Sequence, residues 1–191
     1  MHKQDFGEPE IDALESANKI LWEKLDQETD LGVVLVAGAY FDYKMGECIR
    51  RYFLANEVAK KLLAPQGALG TFGAKLDCAL CLRIIDELRH ESLRKLARIR
   101  NVFAHDLNAS FSDQSVRDKV ADFADCYLGT LDRKVFDGFP MTSTTRGTFI
   151  FTAFNLSLDL SHRDVDVWMH VRQYSSMIAA NFGRGTESQS P

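Results

Sequence analysis

The chain has 191 residues, of which 46% are hydrophobic, and its formal net charge is -4. A chain of this length and composition can bury enough apolar surface to fold as one domain without disulfide bonds or a metal. The acidic balance disfavours the broad phosphate-binding surface of a general DNA-coating protein, although a local basic patch remains compatible with it.

The N-terminal segment is charged and has no apolar stretch, so it lacks the form of a secretory signal. The longest apolar run, Leu31 to Phe41, has 11 residues, whereas a membrane span needs about 20. We therefore expect a cytosolic protein with no membrane association. The C-x-x-C sequence at Cys78 and Cys81 favours core packing, because neither a second pair nor a histidine set accompanies it. We expect no metal and no cofactor.

The first part of the chain predicts two long helices. Residues 8–28 carry apolar side chains at helical spacing, and a second helix is predicted from Asp30 to about Leu54. The first half of this second helix is apolar on every side, which is typical of a helix at the centre of a core. Close approach of a neighbouring segment is the expected reason for its glycines, such as Gly38 and Gly46.

Two helices are predicted in the middle of the chain. A short helix should run from Glu57 to Leu63 and end before the proline and glycine that follow. Thr71 should then cap a helix from Phe72 to Ile85, which is again apolar nearly all round.

The second half of the chain also predicts helices. An amphipathic helix is predicted from Leu88 to His105, and a shorter one from Ser112 or Asp113 to about Leu128. The phenylalanine-rich residues 148–160 are most simply a core helix, with a strand as the alternative, and the periodicity of residues 165–178 suits both structures. The polar residues 183–191 are predicted to be disordered.

The fold class that follows from these elements is all-α. We expect a single multi-helix, bundle-like domain over residues 1–182, with a long buried central helix.

Three charged residues fall within apolar arcs of the predicted helices. On an ideal helical wheel Arg100 lies inside the apolar stripe of its helix, and Asp42 and Asp77 lie in apolar arcs of theirs. None of these charges can be buried alone, because an unpaired buried ion costs several kcal/mol. The pattern therefore predicts a buried polar network in which Arg100 pairs with Asp42 or with Asp77. Such a network serves either structural specificity or ligand binding.

The sharpest local motif runs from Arg100 to His105. Asn101 and His105 are four residues apart and share a face, and the histidine lies in the last turn of the predicted helix. One interpretation is a helix terminus at which His105 meets the last free carbonyl groups. The other is an R-x4-H ribonuclease motif, in which His105 would act as acid or base and Arg100 would hold phosphate.

A basic face on the same helix is formed by Arg94, Lys95 and Arg98. Charge runs of this kind are usually solvated surface. We find no convincing helix-turn-helix pattern and no phosphate-cradling glycine-rich loop, so this face is a candidate surface for binding a protein rather than DNA.

Three runs of sequence resemble the mannitol operon repressor family in order and in wording. They are GAYFDYKMGECIRRYFL, LLAPQGALGTFGAKLDCALCLRII and LRKLARIRNVFAHDL. The resemblance spans about Leu31 to Leu107. It implies an all-helical fold and a role in controlling the uptake or use of mannitol or a related sugar alcohol. The segment from Arg100 to His105 is also similar to HEPN helical domains, some of which are metal-independent ribonucleases.

The sequence thus favours a non-enzymatic transcriptional regulator that acts through a protein partner, with direct DNA binding doubtful and homo-oligomerisation left open. The alternative hypothesis is a HEPN-type ribonuclease or RNA-binding protein that uses Arg100, Asn101 and His105.

Overall fold

The computed structural model describes residue 25 and residues 27–53, 55–129 and 143–161. All regular secondary structure within these ranges is helical, which confirms the predicted all-α fold. The helices are α1 (Asp30–Tyr52), α2 (Glu57–Leu63), α3 (Phe72–Cys81), α4 (Glu87–His105), α5 (Gln114–Leu128) and α6 (residues 145–161).

The long helix α1 lies at the centre of the described fold, as its apolar first half predicts. It packs against α3 and α4, and α4 in turn packs against α5. The buried apolar side chains of α1 repeat along its whole length, because this helix has neighbours on more than one side. They belong to Val33, Val34, Ala37, Phe41, Met45, Cys48 and Ile49.

Side chains cap the N-terminal ends of α3 and α4. The hydroxyl group of Thr71 accepts a hydrogen bond from the backbone N–H of Ala74 at 3.2 Å, as predicted for the start of α3. The carboxylate of Asp86 accepts from the backbone N–H of Arg89 at 3.0 Å and fixes the start of α4. Both caps use a donor that would otherwise have no partner inside the helix.

Helix α3 ends at Cys81, four residues before the predicted end at Ile85. Arg83 has a φ of 58°, in the left-handed region that terminates helices. The backbone N–H of Ile84 then donates to the carbonyl of Ala79 at 2.9 Å. This turn directs Ile84 and Ile85 into the core, where both are buried. Because their side chains are apolar, the sequence pattern predicted that the helix continues to Ile85.

An aromatic chain joins the later helices to α4. The ring centroids of Phe103 and Phe111 are 5.4 Å apart, those of Phe111 and Phe149 are 5.5 Å apart, and those of Phe123 and Phe149 are 6.0 Å apart. Such tilted ring pairs add to the stabilisation from burial. Residues 148–160 are helical, so the strand alternative for this segment was wrong.

Several predictions fall wholly or largely outside the described residues: the helix at residues 8–28, the ambiguous segment 165–178 and the tail 183–191. The extent of the single domain, residues 1–182, also stays a prediction. None of the helices in the described ranges combines the length and the apolar character that a membrane crossing requires.

Candidate functional site

Helix α4 separates the core from an exposed polar face. Its apolar residues are buried against α1 and α5. At 100° per residue, side chains spaced by three and four positions lie on one face of a helix. The face opposite the core carries the polar residues Arg94, Arg98, Asn101 and His105.

Arg94, the first cation of this face, binds a carboxylate on α3. Nη2 of Arg94 donates to both carboxylate oxygens of Asp77, at 3.0 and 3.1 Å. Nε2 of His90 lies 2.9 Å from Oδ1 of the same carboxylate. The hydrogen bond with His90 is the main reason that the pKa of Asp77 lies below its ordinary value. Burial, the second-largest effect, opposes this shift, and the charge of Arg94 lowers the pKa further. These contacts tie α3 to α4.

Asp77 is therefore not part of a buried network, and this part of the prediction was wrong. Its side chain is 55% exposed, because it lies on the α3 surface that faces the polar side of α4. The wheel placed it near apolar positions, but α3 ends four residues early and has a narrower buried stripe than predicted.

Lys95 also forms ion pairs with carboxylates of this chain. Its Nζ lies 2.6 Å from Oδ2 of Asp122 on α5 and 3.5 Å from Oε1 of Glu91. The hydrogen bond to Asp122 raises the pKa of Lys95 above its ordinary value. Of the predicted basic face, Arg94 and Lys95 are thus engaged in contacts with neighbouring helices, and Arg98 is exposed.

The partner of Asp42 is Lys75, for which no role was predicted from the sequence. Nζ of Lys75 donates to Oδ1 of Asp42 at 2.6 Å, and the side chain of Lys75 is only 10% exposed. Lys75 precedes Leu76 and lies four positions before Ala79, so it shares the buried stripe of α3. A lysine at such a position is the sequence signal that could have identified this pair.

Arg100 does not pair with either aspartate. It is exposed, and its Nη1 donates to Oδ1 of Asn101 at 3.2 Å. The wheel position was right in one respect, because the aliphatic part of Arg100 lies over Gly38 of α1. Near the end of α4 the long side chain can cover the core with its methylene groups and still keep its charge in water. The prediction of a buried Arg100 was therefore wrong.

The remaining residues of the motif lie at the C-terminal end of α4. Asn101 and His105 are exposed, and so is Leu107 in the turn that follows. The hydrogen bond from Arg100 brings its guanidinium toward Asn101, which shares a face with Arg98 and His105. Within the described ranges, no group of three or more metal-ligating side chains lies together.

The described residues define an all-α protein of packed helices, in which ion pairs join α1 to α3 and α4 to its neighbours. Among the described residues, Arg98 and Arg100 in the C-terminal half of α4 have no ion-pair partner. The fold is similar to that of a chain in the X-ray structure of the MtlR-HPr complex from Escherichia coli, with a TM-score of 0.60 and 17% sequence identity. The match covers 76% of this chain and 99% of that chain. The sequence matches no family model and no curated protein.

Proposed function

We propose that this protein is a non-enzymatic regulator of transcription, of the mannitol operon repressor kind, that acts by binding another protein. The observation that carries the proposal is the fold similarity, which extends over 99% of a chain in the MtlR-HPr complex. That structure is a complex with a second protein, and the same sequence region independently resembles the repressor family. Neither a metal nor a cofactor is part of the proposed activity.

The charges on α4 support a protein partner over DNA. Arg94 and Lys95 already bind carboxylates of this chain, which leaves few cations for phosphate contacts. Specific recognition of a duplex needs base-edge contacts from a groove-fitting element together with several cationic contacts to phosphate. Titration of a labelled promoter duplex and a scrambled duplex at physiological salt should show no preference. A preference of roughly 10³ or more would contradict the proposal.

The direct test is a calorimetric titration of the purified chain with HPr from the same organism. We expect saturable binding with one HPr bound per chain. An unrelated protein of similar size and charge to HPr serves as the control and should give no heat of binding. Absence of HPr binding, together with preferential binding to its own promoter duplex, would contradict the proposed mode of action.

A metal-independent ribonuclease is the second candidate function, because Arg100 is exposed rather than held in the core. On an ideal helix Arg100 and His105 point roughly 140° apart, which opposes joint action on one phosphate. The hydrogen bond to Asn101 reduces this separation, since it draws the guanidinium toward the face of His105. The proposal of a non-enzymatic protein predicts no cleavage of single-stranded RNA in the presence of a metal chelator.

Two histidine variants make the nuclease assay decisive. Cleavage that is abolished in a folded His105→Ala variant, and retained in His90→Ala, would establish the nuclease. His90 is a suitable control because it lies on the same helix, where it contacts Asp77 rather than the Arg100 region.

A further inference from the structure

We propose that the partner protein docks on the C-terminal end of α4 and presents carboxylates beside an apolar patch. The docking surface consists of Arg98, Arg100, His105 and Leu107, and we name it the α4-end surface. This inference rests on the proposed function, since it identifies where the partner binds and what chemistry the partner offers.

The charges of the α4-end surface have no acidic partner in the described part of the chain. Arg98 and Arg100 are exposed, and neither lies within ion-pair distance of a described carboxylate. Upstream on the same helix, Arg89, Arg94 and Lys95 all bind carboxylates. The chain has 27 acidic and 23 basic residues. Arg98 and Arg100 start on different sides of α4, but the hydrogen bond from Arg100 to Asn101 turns its guanidinium toward the side of Arg98. The two arginines therefore form a local positive surface, and an acidic partner complements it.

The arrangement of these side chains suits carboxylates from one partner surface. Arg98, Asn101 and His105 are spaced by three and four residues and lie along about 10 Å of one helix face. Asn101 accepts the hydrogen bond from Arg100 and so limits the positions open to that guanidinium. Guanidinium groups bind carboxylates through two parallel N–H donors, so fixing their orientation favours binding.

Leu107 supplies the apolar contact that such a surface needs. Its side chain is 81% exposed and lies two residues beyond His105. Exposed ion pairs contribute only about 0 to 1 kcal/mol each, so the charges alone would bind a partner weakly. An apolar centre with a polar rim is the usual composition of a protein interface. An exposed leucine just after a helix that carries a few cations therefore fits an acidic protein better than a nucleic acid, which needs a longer row of phosphate contacts.

The experiment uses the full chain and a labelled short peptide of glutamate and leucine as the probe. Nitrogen-15 NMR spectra should show peptide-induced shifts confined to residues 98–107. The variant R98Q/R100Q should bind the peptide several-fold to about tenfold more weakly, because two charge contacts are lost. The control K61Q/R117Q removes the same charge from exposed positions on α2 and α5 and should bind like the unmodified chain.

Two further variants test whether weaker peptide binding results from lost contacts or from misfolding of R98Q/R100Q. Arg98→Gln alone and Leu107→Ser change exposed side chains, so both should fold normally and each should weaken peptide binding. Peptide shifts located elsewhere, or an equal loss of binding in K61Q/R117Q, would overturn the docking surface. Tighter binding of single-stranded RNA through the same residues would also overturn it, in favour of a nucleic-acid site.

Titration of the chain and of R98Q/R100Q with HPr distinguishes a failure of the α4-end surface from a failure of the proposed function. Should HPr bind R98Q/R100Q as tightly as the unmodified chain, the α4-end surface is wrong and the regulatory function stands. Should HPr fail to bind the unmodified chain while the peptide binds as expected, the α4-end surface stands and HPr is not the partner.

Discussion

The side chain of Arg100 lies directly over Gly38, so that a Cβ atom at this glycine would come within 2.8 Å of Cγ of the arginine. No ordinary side-chain contact is this short, and Gly38 is therefore required by an arginine from another helix. The same helix places Gly46 beside Lys75, where an added Cβ would lie 3.8 Å from the lysine side chain, at ordinary contact distance. Gly38 and Gly46 of α1 thus each face a cationic side chain, and of these two contacts the one at Gly38 is the tightly packed one.

The effect of Gly38→Ala on the free energy of unfolding should depend on which residue occupies position 100, and it should change from a loss to a gain when Arg100 is replaced by alanine. In the unmodified chain, overpacking against Arg100 costs about 1 to 3 kcal/mol and outweighs the gain of about 1 kcal/mol in helix propensity. In an Arg100→Ala background only Cβ of residue 100 remains, at 3.5 Å, and Gly38→Ala should then stabilise the protein. Urea denaturation of the four members of this double-mutant cycle measures the coupling.

Gly46→Ala is the matched control for that cycle. Its added Cβ meets no close atom, so it should raise the free energy of unfolding by up to about 1 kcal/mol whatever residue occupies position 100. Equal effects of Gly38→Ala and Gly46→Ala in the unmodified chain would contradict the close packing of Arg100.

The pair of Asp42 and Lys75 should contribute more to stability than any surface ion pair of the described residues. Asp42→Asn leaves the nearly buried ammonium of Lys75 without a charged partner, and we expect a loss of about 1 to 3 kcal/mol. This range is below that of a fully buried pair because Asp42 is 38% exposed. Chemical denaturation measures the loss.

A second variant distinguishes the pair from simple packing. Because Asp42→Asn/Lys75→Met removes both charges, it should recover part of the lost stability. Glu57→Gln breaks the exposed pair with Lys60 and should change stability by less than about 0.5 kcal/mol. If Asp42→Asn behaves like Glu57→Gln, the ammonium of Lys75 is solvated and the pair has no structural importance.

The attachment of α6 to α4 depends on Arg89. Its Nη2 donates to Oδ1 of Asp159 at 2.8 Å, and both side chains are largely buried. Burial alone would lower the pKa of Arg89, but the hydrogen bond and the charge of Asp159 reverse this and raise it. Because Arg89 keeps a second ion pair with Asp86, Asp159→Asn should destabilise the protein by about 1 to 3 kcal/mol. Hydrogen exchange should show loss of protection in α6 before α1, and uniform loss would contradict a local attachment.

The elements of this fold follow from its sequence more directly than the contacts between them. Apolar periodicity and caps such as Thr71 act within a helix, and they predicted α1, α2 and most of α4 closely. The partner of Asp42 depends on which helix packs beside α1, and a wheel of one helix does not contain that information. The wheel also treats the middle and the end of a helix alike, whereas Arg100 reaches solvent because it lies near the end of α4.

The carboxylate of Asp77 should make the stability of the protein depend on pH on the acid side. Its contacts with His90 and Arg94, which face it from α4, lower the pKa of Asp77 in the folded protein below the ordinary value of 3.8. As the pH falls, the unfolded chain therefore takes up this proton first, so that acid favours unfolding. The stabilisation is fully present above pH 3.8 and is lost as the pH falls through the lower, folded pKa. Urea denaturation at several pH values from about 5 to 2 should show the stability advantage over Asp77→Asn shrinking. His90→Gln, which removes the largest cause of the shift, should weaken this dependence, and a constant difference across the range would contradict the prediction.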